Sequence, residues 1–130
     1  MITAVQLPEK VAEKVTPVIN GRNTKVIESF EITDAEITID IVDNAEADGD
    51  EISLFFNGNE IASKQTLTEK TISFKVKAVK GTNSIVMFAE NLGSTPPNTA
   101  LMLIKCAGKE YRATVRSDLK ESGAVQLILK

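Results

Sequence analysis

From Lys25 to the C-terminus apolar residues recur at every second position, and this period constrains the chain more than any other feature. Only an extended strand puts alternate side chains on one face. In "EITIDIV" Ile37, Ile39 and Ile41 share a face, while Thr38 and Asp40 share the other. "EISLFFN" repeats this with Ile52, Leu54 and Phe56, and "KTISFKVKAV" with Ile72, Phe74 and Val76. "KVIESFEI" follows it imperfectly, with Val26, Glu28, Phe30 and Ile32 on one side. "SIVMFAE" and "TALMLIKCA" are apolar on both faces, so the first is read as a central strand covered on both sides. "EYRATVRS" and "AVQLILK" finish the chain. Turn residues punctuate these runs: Asn57-Gly58 marks a hairpin that needs positive backbone angles, "KGTN" and "AGKE" are turns, and "DLKESG" is a turn closed by Gly123. About eight or nine short strands with polar turns and no long helix predict an all-β fold. An antiparallel β-sandwich comes first and a barrel second.

A chain of 130 residues, 42% of them hydrophobic, suffices for one domain with a single core. Residues 25–130 supply it. Residues 1–24 differ: Pro8, Pro17 and Gly21 interrupt them, and only "PEKVAEKV" could form about two helical turns, with Val11 and Val15 on one face. They read as a linker or an N-terminal arm packing loosely on the domain.

With 15 basic residues scattered among 18 acidic ones, no nucleic-acid partner is expected. No stretch approaches the roughly 20 apolar residues of a membrane helix. Nor is there the charged start, apolar run and cleavage site of a signal peptide. The single cysteine, Cys106, alternates with apolar residues and reads as a small core or near-core side chain.

The chain contains no histidine, which removes the usual general base and the commonest transition-metal ligand. A serine triad, a cysteine–histidine dyad and a typical zinc site are thereby excluded. Paired carboxylates could serve a glycosidase, but such a cleft needs aromatic or polar sugar contacts, and the chain has no tryptophan and one tyrosine, Tyr111. There is no phosphate loop or dinucleotide glycine pattern. The expectation is a protein that is not an enzyme.

Two stretches remain as candidate sites. "DNAEADGD", residues 43–50, could offer calcium several oxygen ligands from Asp43, Asn44, Asp48 and Asp50, although its spacing is not that of an EF-hand loop. The same residues also build a turn, since Asp and Asn bond their own backbone and Gly49 supplies an unusual backbone angle. "AENLGSTPPNTA" reads as an ordered loop crossing between the sheets, with Gly93, Pro96 and Pro97 setting its path. In it Glu90, Asn91 and Asn98 would hold loop backbone groups through side-chain hydrogen bonds, or take a ligand.

The succession "GRNTKVIESFEI", "DNAEADGDEISLFFNG", "GTNSIVMFAENLGSTPPNTALMLI" and "SDLKESGAVQLILK" resembles an uncharacterised immunoglobulin-like β-sandwich domain of exported proteins and lipoproteins of Bacteroidetes, from Arg22 to Lys130. The resemblance implies an accessory module of a cell-envelope protein, in the periplasm or at the cell surface. It assigns no catalytic or binding residue and no known activity. Three readings follow: a structural or binding module, a calcium-dependent carbohydrate-binding domain, and a protein–protein adaptor pairing through an exposed strand edge with an envelope protein. Phe55 and Phe88 point away from their neighbours' inward face, and exposure of that pair would favour the adaptor.

Overall fold

The computed structural model describes residues 21–43, 50–91 and 98–130. Among these are nine strands and no helix: β1 (Asn23–Ile32), β2 (Glu36–Asp43), β3 (Glu51–Phe56), β4 (Asn59–Thr66), β5 (Ile72–Lys77), β6 (Gly81–Ala89), β7 (Asn98–Cys106), β8 (Lys109–Ser117) and β9 (Glu121–Leu129). They form a five-stranded sheet, β1-β9-β6-β3-β4, and a four-stranded sheet, β5-β2-β7-β8. All neighbours pair antiparallel except β1 and β9, which run parallel. This is the two-sheet β-sandwich that the alternation predicts. Its strand order is its own: the last two strands of an immunoglobulin constant domain share a sheet, whereas here β8 edges the four-stranded sheet and β9 lies inside the other.

The alternation sorts the side chains between core and surface. Ile37, Ile39 and Ile41 of β2 and Ala100, Met102 and Ile104 of β7 meet Ile52 and Leu54 of β3, Ile85 and Met87 of β6, and Val125 and Leu127 of β9. Each fully buried isoleucine or leucine contributes about 1.5–3 kcal/mol through area removed from water. Cys106 is buried with this set, its thiol donating to the Asp34 carbonyl at 3.2 Å. Two hairpins close with both central residues at positive φ, Asn57 (51°) and Gly58 (84°), then Ala107 (52°) and Gly108 (80°). That geometry matches the right-handed twist of the flanking strands.

Irregular alternation in β1 has a local cause. The register with β9 shifts between Val26 and Glu28, so Ile27 is the extra residue of a bulge. Ile27, Phe30 and Ile32 therefore pack on the core, where the sequence placed Val26, Glu28, Phe30 and Ile32 together. The strand also starts at Asn23, ahead of the expected onset at Lys25. Gly123, assigned to a turn by sequence, lies within β9, in register with Lys25 on one side and Met87 on the other. The turn itself is closed by Asp118, whose carboxylate accepts from the amides of Lys120 and Glu121, both at 2.7 Å. Those two bonds hold its pKa below the ordinary carboxylate value.

Candidate functional site

The acidic stretch begins at the last residue of β2 and ends just before β3. Its two ends come together because both are tied to the connection between β4 and β5. The Asp43 amide donates to the Thr68 carbonyl at 3.0 Å, and the Leu67 amide donates to the Asp50 carbonyl at 2.8 Å. Asp50 is 3% exposed and Asp43 half-buried. Of the four candidate calcium ligands, Asn44 and Asp48 lie outside the described residues. Among the described residues no three carboxylate, thiol or imidazole groups converge as a metal would require.

The end of β6 in one sheet and the start of β7 in the other lie at the same end of the sandwich, and residues 92–97 between them, with Gly93, Pro96 and Pro97, lie outside the described residues. Glu90, Asn91 and Asn98 converge on Glu51, the first residue of β3. Asn91 Oδ1 accepts from the Glu51 amide at 2.9 Å, and the Glu90 amide donates to the Glu51 carbonyl at 2.8 Å. Asn98, fully buried at the start of β7, donates from Nδ2 to that carbonyl at 3.3 Å and to the Asn91 carbonyl at 2.5 Å. Glu90 accepts from the Ser53 hydroxyl at 2.5 Å, and Ser53 Oγ in turn accepts from the Lys64 amide at 3.0 Å. That last contact sits at a bulge in β4, where Lys64 has φ 49° and two residues oppose one on β3. Glu90, Asn91 and Asn98 therefore meet around one strand end, two through backbone groups and Glu90 through a hydroxyl. Side-chain amides buried this way replace the water that loop carbonyls would otherwise bind.

Several residues that matter to this end carry no local sequence signal. Arg22, placed in the arm by sequence, donates to the Ala89 carbonyl at 2.5 Å, and its guanidinium lies 3.8 Å from the centroid of Phe88. Phe88 meets Phe55 edge to face, with centroids 6.1 Å apart and planes at 77°. Phe88 is buried and Phe55 half-buried, so the pair is not an exposed apolar patch. At the opposite end Asn83 is fully buried. It accepts from the Val79 amide at 2.8 Å and donates to the carbonyls of Val79, Gly81 and Leu127 at 2.9 to 3.2 Å, joining a turn to β9. A polar residue beside a glycine looks like an ordinary turn, and only burial distinguishes it.

On the outer face of the four-stranded sheet Asp40, with 8% of its side chain exposed, accepts from Lys105 Nζ at 2.8 Å and from the Ser73 hydroxyl at 2.6 Å. Burial acts to raise its pKa. The hydrogen bonds from Lys105 and Ser73 and the attraction of the lysine outweigh burial and hold the carboxyl below its ordinary value. Asp40 in turn raises the Lys105 pKa. Between the edges of β1 and β8 the sandwich opens into a cleft of about 480 Å³, lined by Lys25, Val26, Ile27, Thr114, Arg116 and Asp118 among others. Ser117 also borders it, but its hydroxyl is spent on the Met87 carbonyl at 2.6 Å and the Gly123 amide at 2.9 Å.

Fold and site together define a predominantly antiparallel β-sandwich whose loop end is braced by the amide side chains of Asn91 and the buried Asn98 around the start of β3. No family model, curated protein or solved structure matches the chain.

Proposed function

We propose that the chain is a non-catalytic β-sandwich accessory module, structural or binding, whose loop end is a scaffold. The observation supporting this is that Asn91, Asn98, Glu90 and Ser53 direct their hydrogen bonds to one another's loops and to Glu51. Side chains committed to framework bonds at about 1 kcal/mol each contribute to stability. The resemblance to envelope domains of Bacteroidetes is consistent with a module that spaces or presents other parts of an exported protein.

A second reading, a calcium-dependent carbohydrate-binding domain, draws on the convergence of Asp43 and the buried Asp50 at one end of the sandwich. Calcium would take oxygens from those two and from Asn44 and Asp48, and would brace the loop or contact sugar hydroxyls. One measurement separates the readings: thermal unfolding of chelator-stripped protein with and without millimolar calcium, repeated on Asp48→Ala. A ligand that binds only the folded form raises the melting temperature. The scaffold reading expects coincident curves. A calcium-dependent rise that Asp48→Ala abolishes refutes it in favour of the ion, and a glycan array in calcium is then the next assay.

A further inference from the structure

Among the described strands β1, β4, β5 and β8 form the sheet edges, and the first three are blunted. β1 is bulged at Ile27, the register of β4 with β3 shifts twice, and β5 is only 6 residues long with Lys75 and Lys77 exposed. β8 differs: its 9 residues keep unbroken register with β7, and no described strand borders its other side. The two-residue turn at Ala107-Gly108 makes Cys106 and Lys109 the closing hydrogen-bonded pair. By alternation along the ladder, Glu110, Arg112, Thr114 and Arg116 turn their N–H and C=O groups away from β7. Their side chains are all exposed.

This edge opens into the cleft of about 480 Å³ whose facing wall is the start of β1. The rings of Phe30 and Tyr111, with centroids 5.1 Å apart, close one end, and at the other the Arg116 carbonyl faces Gly123 of β9. Between those ends the N–H and C=O groups of Arg112 and Thr114 have no strand beside them among the described residues. Val26 and Ile27 line the cleft with apolar surface, and Lys25 and Arg116 bring positive charge. Neither cation enters an ion pair among the described residues. Two carboxylates share the cleft, but Asp118 is held by the amides of Lys120 and Glu121, and Glu121 lies on β9, beyond the end of β8. On the edge itself Glu110 is taken by Arg112 at 3.0 Å.

We propose that the free edge of β8 is a peptide-binding site, which takes an extended acidic segment of a partner protein as one further strand of the four-stranded sheet. Main-chain bonds to Arg112 and Thr114 supply affinity, and alternate side chains of the segment supply selection. Its outward residues lie beside Arg112 and Arg116, where a carboxylate is favoured. Its inward residues lie against Val26 and Ile27, where a small apolar side chain fits. The proposal rests on the binding arm of the accessory-module reading, yet it shares no residue with the Glu51 cluster, so a peptide titration and the calcium melts fail independently.

The test titrates the isotope-labelled full chain with a peptide of about six residues alternating glutamate and valine, and with its lysine–valine counterpart, followed by amide NMR. The expected result is saturable shifts with the glutamate peptide at the amides of Lys25, Arg112 and Thr114, slower hydrogen exchange at Arg112 and Thr114, and no response to the lysine peptide. Arg116→Glu should weaken the glutamate peptide about three- to fivefold, the size of a cross-strand charge pair turned repulsive. Thr114→Pro removes an edge N–H and should abolish binding; if it folds poorly, the charge reversal and the shift map still decide. Equal binding of the two peptides would overturn the proposal, as would shifts confined to β4 or β5. No saturable shift at millimolar peptide would overturn it too. So would Arg112 and Thr114 amides already protected in the free chain, by self-association or by contacts to residues 1–20, 44–49 or 92–97, because the edge would then be occupied.

Discussion

Gly123→Ala tests the packing of the two sheets against each other. Gly123 sits in β9 against the backbone of β8, and a Cβ added there would stand 2.4 Å from the Arg116 carbonyl oxygen and 2.7 Å from Val115 Cγ1. Both are too near for a carbon, and the nearest is main chain, which no rotamer change can move. Nor can β9 retreat, because Gly123 is held in register with β1 and β6 on either side. The end of β8 must therefore shift, and with it Ser117, whose hydroxyl bonds Met87 and the Gly123 amide across the gap. Overpacking of this kind costs about 1–3 kcal/mol. Weakening two buried hydrogen bonds adds about 1 kcal/mol or more. Against this, alanine gains roughly 0.5–1 kcal/mol by restricting the unfolded chain. The net expectation is a loss of about 1–3.5 kcal/mol, which for a domain of this size lowers the melting temperature by roughly 5–10 °C. Urea and thermal unfolding followed by far-ultraviolet circular dichroism measure it. A variant melting within a degree or two of the parent would refute the close approach. Ser117→Ala, which removes the bridge without adding an atom, should lose less than Gly123→Ala.

Other substitutions probe separate features. Ala107 holds φ 52°, a left-handed conformation costing a residue with a Cβ about 1–2 kcal/mol, so Ala107→Asn should raise the melting temperature by a few degrees in the same scan. Asn98→Ala removes the side-chain donor to the Asn91 carbonyl and one of the donors to the Glu51 carbonyl, which keeps the Glu90 amide, and should cost about 1–3 kcal/mol, with faster hydrogen exchange at the start of β3. The Asp40 pKa is lower in the folded state than the ordinary 3.8, so its contribution is present above that pH and is lost as pH falls through the folded value. The Lys105 pKa is raised above 10.5, so its contribution is present below that pH and lost as pH rises through the folded value. Urea midpoints across pH should accordingly fall at both extremes, and Asp40→Asn should flatten both slopes.

Much of the fold was legible because strands and tight turns are local. Alternation in residues 36–42 and 51–56 follows from the pleat alone, and Asn57-Gly58 announces its own positive angles. The candidate loop was partly legible for the same reason, since buried asparagines beside an apolar strand have few roles other than bonding backbone. Glu51, where Asn91 and Asn98 converge, was not. It is an unremarkable charged residue in sequence and becomes a hub only because β7 and the end of β6 are brought beside it.

By itself the sequence determined that this chain is all-β, that it alternates inward and outward side chains, and that histidine-dependent chemistry is closed to it. Those properties depend on neighbours one or two positions away and on residue inventory. Tertiary structure alone decided that β1 runs parallel to β9 with Ile27 bulged, that Gly123 faces the Arg116 carbonyl and not a turn, and that Arg22 lies on Phe88. Each of these joins segments about 7 to 100 residues apart along the chain. No local period can encode such pairings, because they are selected only when the whole core closes at once.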